Sequence, residues 1–192
     1  MSNSPNPFST RFWTPGVLPF RFGGGTGIKL LLQKLAERKV HQITGLHGTG
    51  KSTLLETLRT ILARNGFTVI DRTLNSENRQ LPDEFAVPKE DVRRFYILDG
   101  YEQLSWFDRW QLRRQRWRNT GGLLFTTHKA AFGVPVLYRT TVSFDFFLET
   151  VRKLTQNSPC LPDETFLRQR FEQYNGNFRA VFFELYDIWE QK

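Results

Sequence analysis

Eight consecutive residues, Gly45-Leu46-His47-Gly48-Thr49-Gly50-Lys51-Ser52, constrain this chain more than any other feature, because they fit the spacing G-x-x-x-x-G-K-[ST] in full. A strand predicted over 40–44 precedes them, and Leu54, Leu55, Leu58, Ile61 and Leu62 follow at helical spacing. A strand must therefore stop, turn tightly and restart as a helix within a few residues. The glycines let the main chain curl so that successive N–H groups converge, and the positive end of the new helix adds to their field. Such a loop attracts an anion. Gly45, His47, Gly48, Thr49 and Gly50 would surround it, Lys51 would bring an ammonium to the outer phosphates of a polyphosphate, and Ser52 would offer Mg²⁺ a hydroxyl. Thr53 is a second hydroxyl at the same helix start.

The rest of the chain repeats the alternation of strand and helix. Ile28, Leu31, Leu32 and Leu35 recur at spacings of three and four and predict a helix over 26–38. Short apolar runs predict strands at 67–70, 95–98, 122–126 and 134–138, with a helix over 104–118. Pro82 and Pro88 mark 75–90 as a loop with a broken turn of helix. The expected architecture is a three-layer α/β/α fold around a mostly parallel five-stranded sheet with right-handed crossovers. Beyond 144 the strand signals stop, and three amphipathic patterns predict a small C-terminal helical lid over 145–192. Residues 1–25 carry Pro5, Pro7, Pro15, Pro19 and the run Gly23-Gly24-Gly25 and read as an extended arm. Its apolar Phe8, Phe12, Trp13, Leu18, Phe20 and Phe22 would hold it on the core, spanning 26–144, and over a bound ligand.

The run Tyr96-Ile97-Leu98 ends in Asp99, which is expected to lie on a strand neighbouring the loop and to complete the metal site with Ser52. The next acid is not adjacent but three positions on, in Asp99-Gly100-Tyr101-Glu102. Loop and acidic strand together resemble the NACHT and wider STAND branch of the AAA-like P-loop NTPases, over about residues 40–190. The resemblance implies binding of ATP with Mg²⁺ and its hydrolysis, with Glu102 orienting or deprotonating the attacking water. It also implies a sensor of the terminal phosphate at the end of Leu123-Leu124-Phe125-Thr126-Thr127-His128, where Thr127, Thr126 or His128 would serve. In Gly176-Asn177-Phe178-Arg179 it implies a lid arginine, Arg179, at the start of a helix.

Two other activities share such a loop. Asp71-Arg72, closing the second strand, resembles the acceptor-binding pair of some nucleotide kinases, which makes phosphoryl transfer the enzymatic alternative. A module that senses nucleotide without turnover is the other. No Asn-Lys-x-Asp run for guanine occurs, which favours adenine.

The formal net charge of +8 raises the question of a polyanionic partner. The helix over 104–118 concentrates it, with Arg109, Arg113, Arg114, Arg116 and Arg118 interleaved with Trp106, Trp110 and Trp117. It either buries its tryptophans on the sheet and leaves arginines in water, or it offers a nucleic acid or an acidic partner a surface. A protein partner or a second copy, completing the site with an arginine, is also open. Cys160 is the only cysteine, so no internal disulfide or multi-thiolate zinc site can form. No apolar run approaches the roughly 18 residues of a membrane span, and a cytoplasmic location is expected.

Overall fold

The computed structural model describes residues 6–13, 20–22, 27–115, 117–156 and 162–191. Pro5, Pro15, Leu18, Pro19, Gly23, Gly24, Gly25, Arg116 and Cys160 lie outside these residues.

The strands are β1 (Val40–Thr44), β2 (Thr68–Thr73), β3 (Arg94–Asp99), β4 (Gly122–Thr127) and β5 (Val136–Arg139). They form one sheet in the order β2-β3-β4-β1-β5, with every pairing parallel. The sheet is thus wholly parallel where a mostly parallel one was expected. Helices α1 (Ile28–Glu37) and α2 (Lys51–Arg64) supply Leu31, Leu35, Leu54, Leu55, Leu58 and Leu62 to one face, against Ile43, Phe95, Ile97, Leu124 and Leu137. The other face buries Tyr96, Leu98, Leu123 and Phe125 under a short α3 (Asp83–Ala86) and α4 (Trp106–Arg114). Successive residues of β3 and β4 therefore alternate between two dry faces, which is why both strands read as unbroken apolar runs.

Two expectations change here. First, Asp99 does not end a strand neighbouring β1, because β4 lies between β1 and β3. In-register pairing of Thr44 with Thr127 and of Leu98 with Phe125 still brings the three carboxyl ends to one edge. Second, the helix expected over 104–118 stops at Arg114; Gln115 is extended and Trp117–Asn119 form a separate 3₁₀ turn. That break rotates Trp117 into the core, where its indole N–H donates to the Leu112 carbonyl at 2.8 Å and its ring meets Tyr96. Trp106 and Trp110, on the intact helix, face solvent instead of the sheet.

The tail consists of α5 (Phe144–Thr155), α6 (Glu164–Gln173) and α7 (Phe178–Glu190). Its core of Phe147, Leu148, Val151, Leu167, Val181, Phe182 and Leu185 also takes in Phe8 and Trp13 of the arm. Further along the arm, Phe20 and Phe22 each set an edge against Tyr138 of β5. No helix among the described residues is long and apolar enough to cross a membrane.

Candidate functional site

The loop between β1 and α2 turns through two glycines in the left-handed region, Gly48 at φ +70° and Gly50 at φ +89°. Both conformations are cheap only without a β-carbon. At Gly48 such a carbon would also overlap Asn177 Oδ1, so the tail stands directly against the loop. The Gly45 N–H donates to the Thr127 carbonyl at 3.3 Å, while the N–H groups of His47, Gly48 and Gly50 find no acceptor among the described residues. Thr49 buttresses the turn: its hydroxyl lies 2.8 Å from the Leu46 carbonyl and shares a 2.6 Å hydrogen bond with the Thr140 hydroxyl.

Lys51, Ser52 and Thr53 form the first turn of α2. Lys51 is only 8% exposed, and its Nζ donates to the carbonyls of Gly45 and Leu46 at 2.8 Å each. Burial pulls its pKa below the ordinary lysine value, and the carboxylates of Glu102 and Asp99 push back. Ser52 Oγ donates to Asp99 Oδ2 at 2.6 Å, across the intervening strand. The other carboxylate oxygen accepts from the Thr126 hydroxyl, which in turn accepts the Gly100 N–H at 2.9 Å. Thr126 on β4 is the bridge that lets an acid two strands away reach the loop.

Glu102 sits in a 3₁₀ turn after β3 (Tyr101–Gln103). Its Oε1 lies 3.1 Å from His128 Nε2, and its Oε2 is buried with no hydrogen-bond partner among the described residues. The His128 ring packs on His47, with centroids 3.8 Å apart. Burial lowers the His128 pKa most; Glu102 raises it, and Lys51 and His47 lower it further. Thr127, by contrast, gives its hydroxyl to the Lys129 carbonyl at 2.9 Å. Of the three sensor candidates, Thr126 holds Asp99, Thr127 holds the following turn, and His128 stands beside the loop.

A cleft of about 580 Å³ opens on the β5 side of the loop, lined by Gly45, Thr49, His128, Thr140, Phe171 and Gly176 among others. Thr44 also lines it, with a buried hydroxyl that has no partner among the described residues. Lys51, Ser52 and Asp99 are not part of this lining, so the cleft continues the site beyond the loop. Its size falls within the range of small-molecule sites. Arg179 is exposed at the second position of α7, behind Asn177, whose side chain caps that helix through the Ala180 N–H at 3.3 Å.

The sequence reading missed Thr140, Phe171 and Asn175. Thr140 directly follows β5, and its one visible sign was a Thr-Thr pair just past the end of a predicted strand. Asp71 and Arg72 do not close β2 but lie within it, ahead of Thr73, on the sheet edge far from β5, exposed, with Arg72 paired to Glu84. Among the described residues no group of three or more His, Cys, Asp or Glu could hold a metal ion. No family model matches the chain, and no curated protein matches it.

Proposed function

We propose that the chain binds a nucleoside triphosphate, ATP by preference, together with Mg²⁺ and hydrolyses it. The observation that carries this reading is the Ser52–Asp99 hydrogen bond at 2.6 Å, formed one residue from a buried ammonium that has only main-chain carbonyls as partners. A hydroxyl and a carboxylate alone make a poor metal site, but they suit Mg²⁺, which is held by one or two protein oxygens and completes its shell with phosphates and water. When bound, the ion would neutralise charge on the phosphate oxygens.

Lys51 would exchange its two carbonyls for phosphate oxygens, next to the open N–H groups of His47, Gly48 and Gly50. The cleft beside Thr140 and Phe171 would receive the base and sugar. Glu102 supports hydrolysis over mere binding: a buried carboxylate oxygen without a donor is costly, and a water molecule satisfies it. That water would attack the terminal phosphorus as the bond to the leaving diphosphate breaks, with its proton passing towards Glu102. His128, whose pKa burial lowers, would hold the other oxygen of Glu102 in place.

The test measures nucleotide affinity and phosphate release without any acceptor. Lys51→Ala should abolish affinity. Glu102→Gln should retain bound nucleotide while release falls by roughly 10²-fold or more. Unchanged release in Glu102→Gln would refute the assigned role, and release only upon adding an acceptor would favour a kinase.

A further inference from the structure

Helix α4 is packed inside out. Residues 106, 107, 110, 113 and 114 share one side of the helix, the stripe that ordinarily meets the core. Here it is Trp106, Phe107, Trp110, Arg113 and Arg114, with Trp106 80%, Phe107 58% and Trp110 45% exposed. Leu112 is the helix's one buried residue. Phe107 and Trp110 stack at 5.9 Å, the Arg114 guanidinium lies 4.7 Å over the Trp110 ring, and Arg113 donates to the carbonyl of Phe132 at 2.6 Å. Phe132, 91% exposed, extends the surface from the loop after β4. Contiguous rings of this size left in water mark a binding surface.

We propose that this face of α4 binds single-stranded nucleic acid, with bases stacking on Trp106, Phe107 and Trp110 and phosphates meeting Arg113 and Arg114, together with Arg118, exposed in the 3₁₀ turn that follows the helix. Exposed flat rings alternating with guanidinium groups are what the open faces of unpaired bases and their backbone require. A duplex hides those faces and offers this surface only phosphates. Charge favours a polyanion over an ordinary protein partner: the chain carries +8, and Asp108, the sole carboxylate of α4, is turned to the Ser105 hydroxyl at 2.8 Å. This surface includes no residue of the loop at 45–52, although Arg109 of the same helix donates to the Glu102 carbonyl at 2.7 Å.

The test is anisotropy of labelled oligo(dT) and oligo(U) about 20 nucleotides long, beyond the 4–16 nucleotides of a typical single-strand site, beside a duplex of equal length. Binding should appear at low salt and weaken steeply as salt rises. Trp106→Ala with Trp110→Ala should weaken the single strand by roughly tenfold or more and leave any duplex binding as it was. Trp106→Tyr, which keeps a ring, should retain most of the affinity. Arg114→Glu with Arg118→Glu should flatten the logarithmic salt slope by about 1 to 1.5. Lys51→Ala should bind as the wild type does, which excludes capture of the strand by the phosphate loop. The proposal is overturned by absence of binding at low salt, by affinity untouched in both double variants, by equal duplex binding, or by displacement with poly-glutamate as effective as with oligonucleotide.

Discussion

At Gly48 the backbone sits at φ +70°, and any β-carbon would run into Asn177 Oδ1. Gly48→Ala therefore faces two penalties, about 1–2 kcal/mol for the left-handed backbone and a displaced cap on α7 worth roughly 1 kcal/mol. Urea denaturation should show stability reduced by about 2–3 kcal/mol, the sum of those two, and nucleotide titration a weakened affinity; unaltered values in both would mean the tail does not bear on the loop. His128 gives a pH-dependent counterpart. Its pKa is depressed in the fold, so the unfolded chain takes up the proton first as pH falls. Stability is full above about 6.5, the ordinary histidine value, and is lost as pH falls from there through the lowered folded value. His41 is depressed by burial as well and contributes to the same slope. Thermal midpoints of His128→Gln measured between neutral and mildly acidic pH should fall less than those of the wild type, and parallel curves would remove His128 from this account.

Element by element, β4 decides how the site is assembled. It separates β1 from β3, and its alternating side chains send Thr126 to Asp99 and Thr127 to the Lys129 carbonyl. Thr126→Val keeps the shape but strands a buried Gly100 N–H, a loss of about 1–3 kcal/mol, and frees one side of Asp99. Phosphate release by this variant should need more Mg²⁺ for half-saturation, Thr126→Ser should restore it, and Thr127→Val should leave it alone; equal behaviour of the two valine variants would dismiss the bridge. The loop and its flanking elements were legible because one strand, three glycines and a 3.6-residue period all agree on the same unit. Which of two adjacent threonines reaches the acid was not, since that depends on the strand order, and local patterning carries no record of it. The same limit applies to α4: Trp106 and Trp110 have identical spacing whether their stripe meets the sheet or water, and only the break at Gln115 separates them from Trp117.

Across the whole molecule, the arm packs on the last helix, α7, whose N-cap Asn177 stands at the loop. Asn6 Nδ2 donates to the Tyr186 carbonyl at 3.1 Å and to Glu190 Oε1 at 2.8 Å, and Phe8, 1% exposed, packs on Phe182 and Trp189. The same tail supplies Asn177 at the turn of Gly48 and Phe171 and Gly176 at the cleft. An arm residue thus braces the helices that close one side of the site. Phe8→Ala empties a fully enclosed position at a loss of about 3–5 kcal/mol, which lowers the thermal midpoint of the apo protein. In the wild type, ATP with Mg²⁺ at about a hundred times its dissociation constant should add ~2.7 kcal/mol, a rise of roughly 5–10 °C for a chain of this size. Because the tail forms part of the site, Phe8→Ala should also shrink that ligand-dependent rise, although residue 8 touches no nucleotide. Lys51→Ala should do the reverse, eliminating the rise while the apo midpoint stays close to that of the wild type. A full ligand-dependent rise in Phe8→Ala would show that the helical tail stands beside the site without taking part in it.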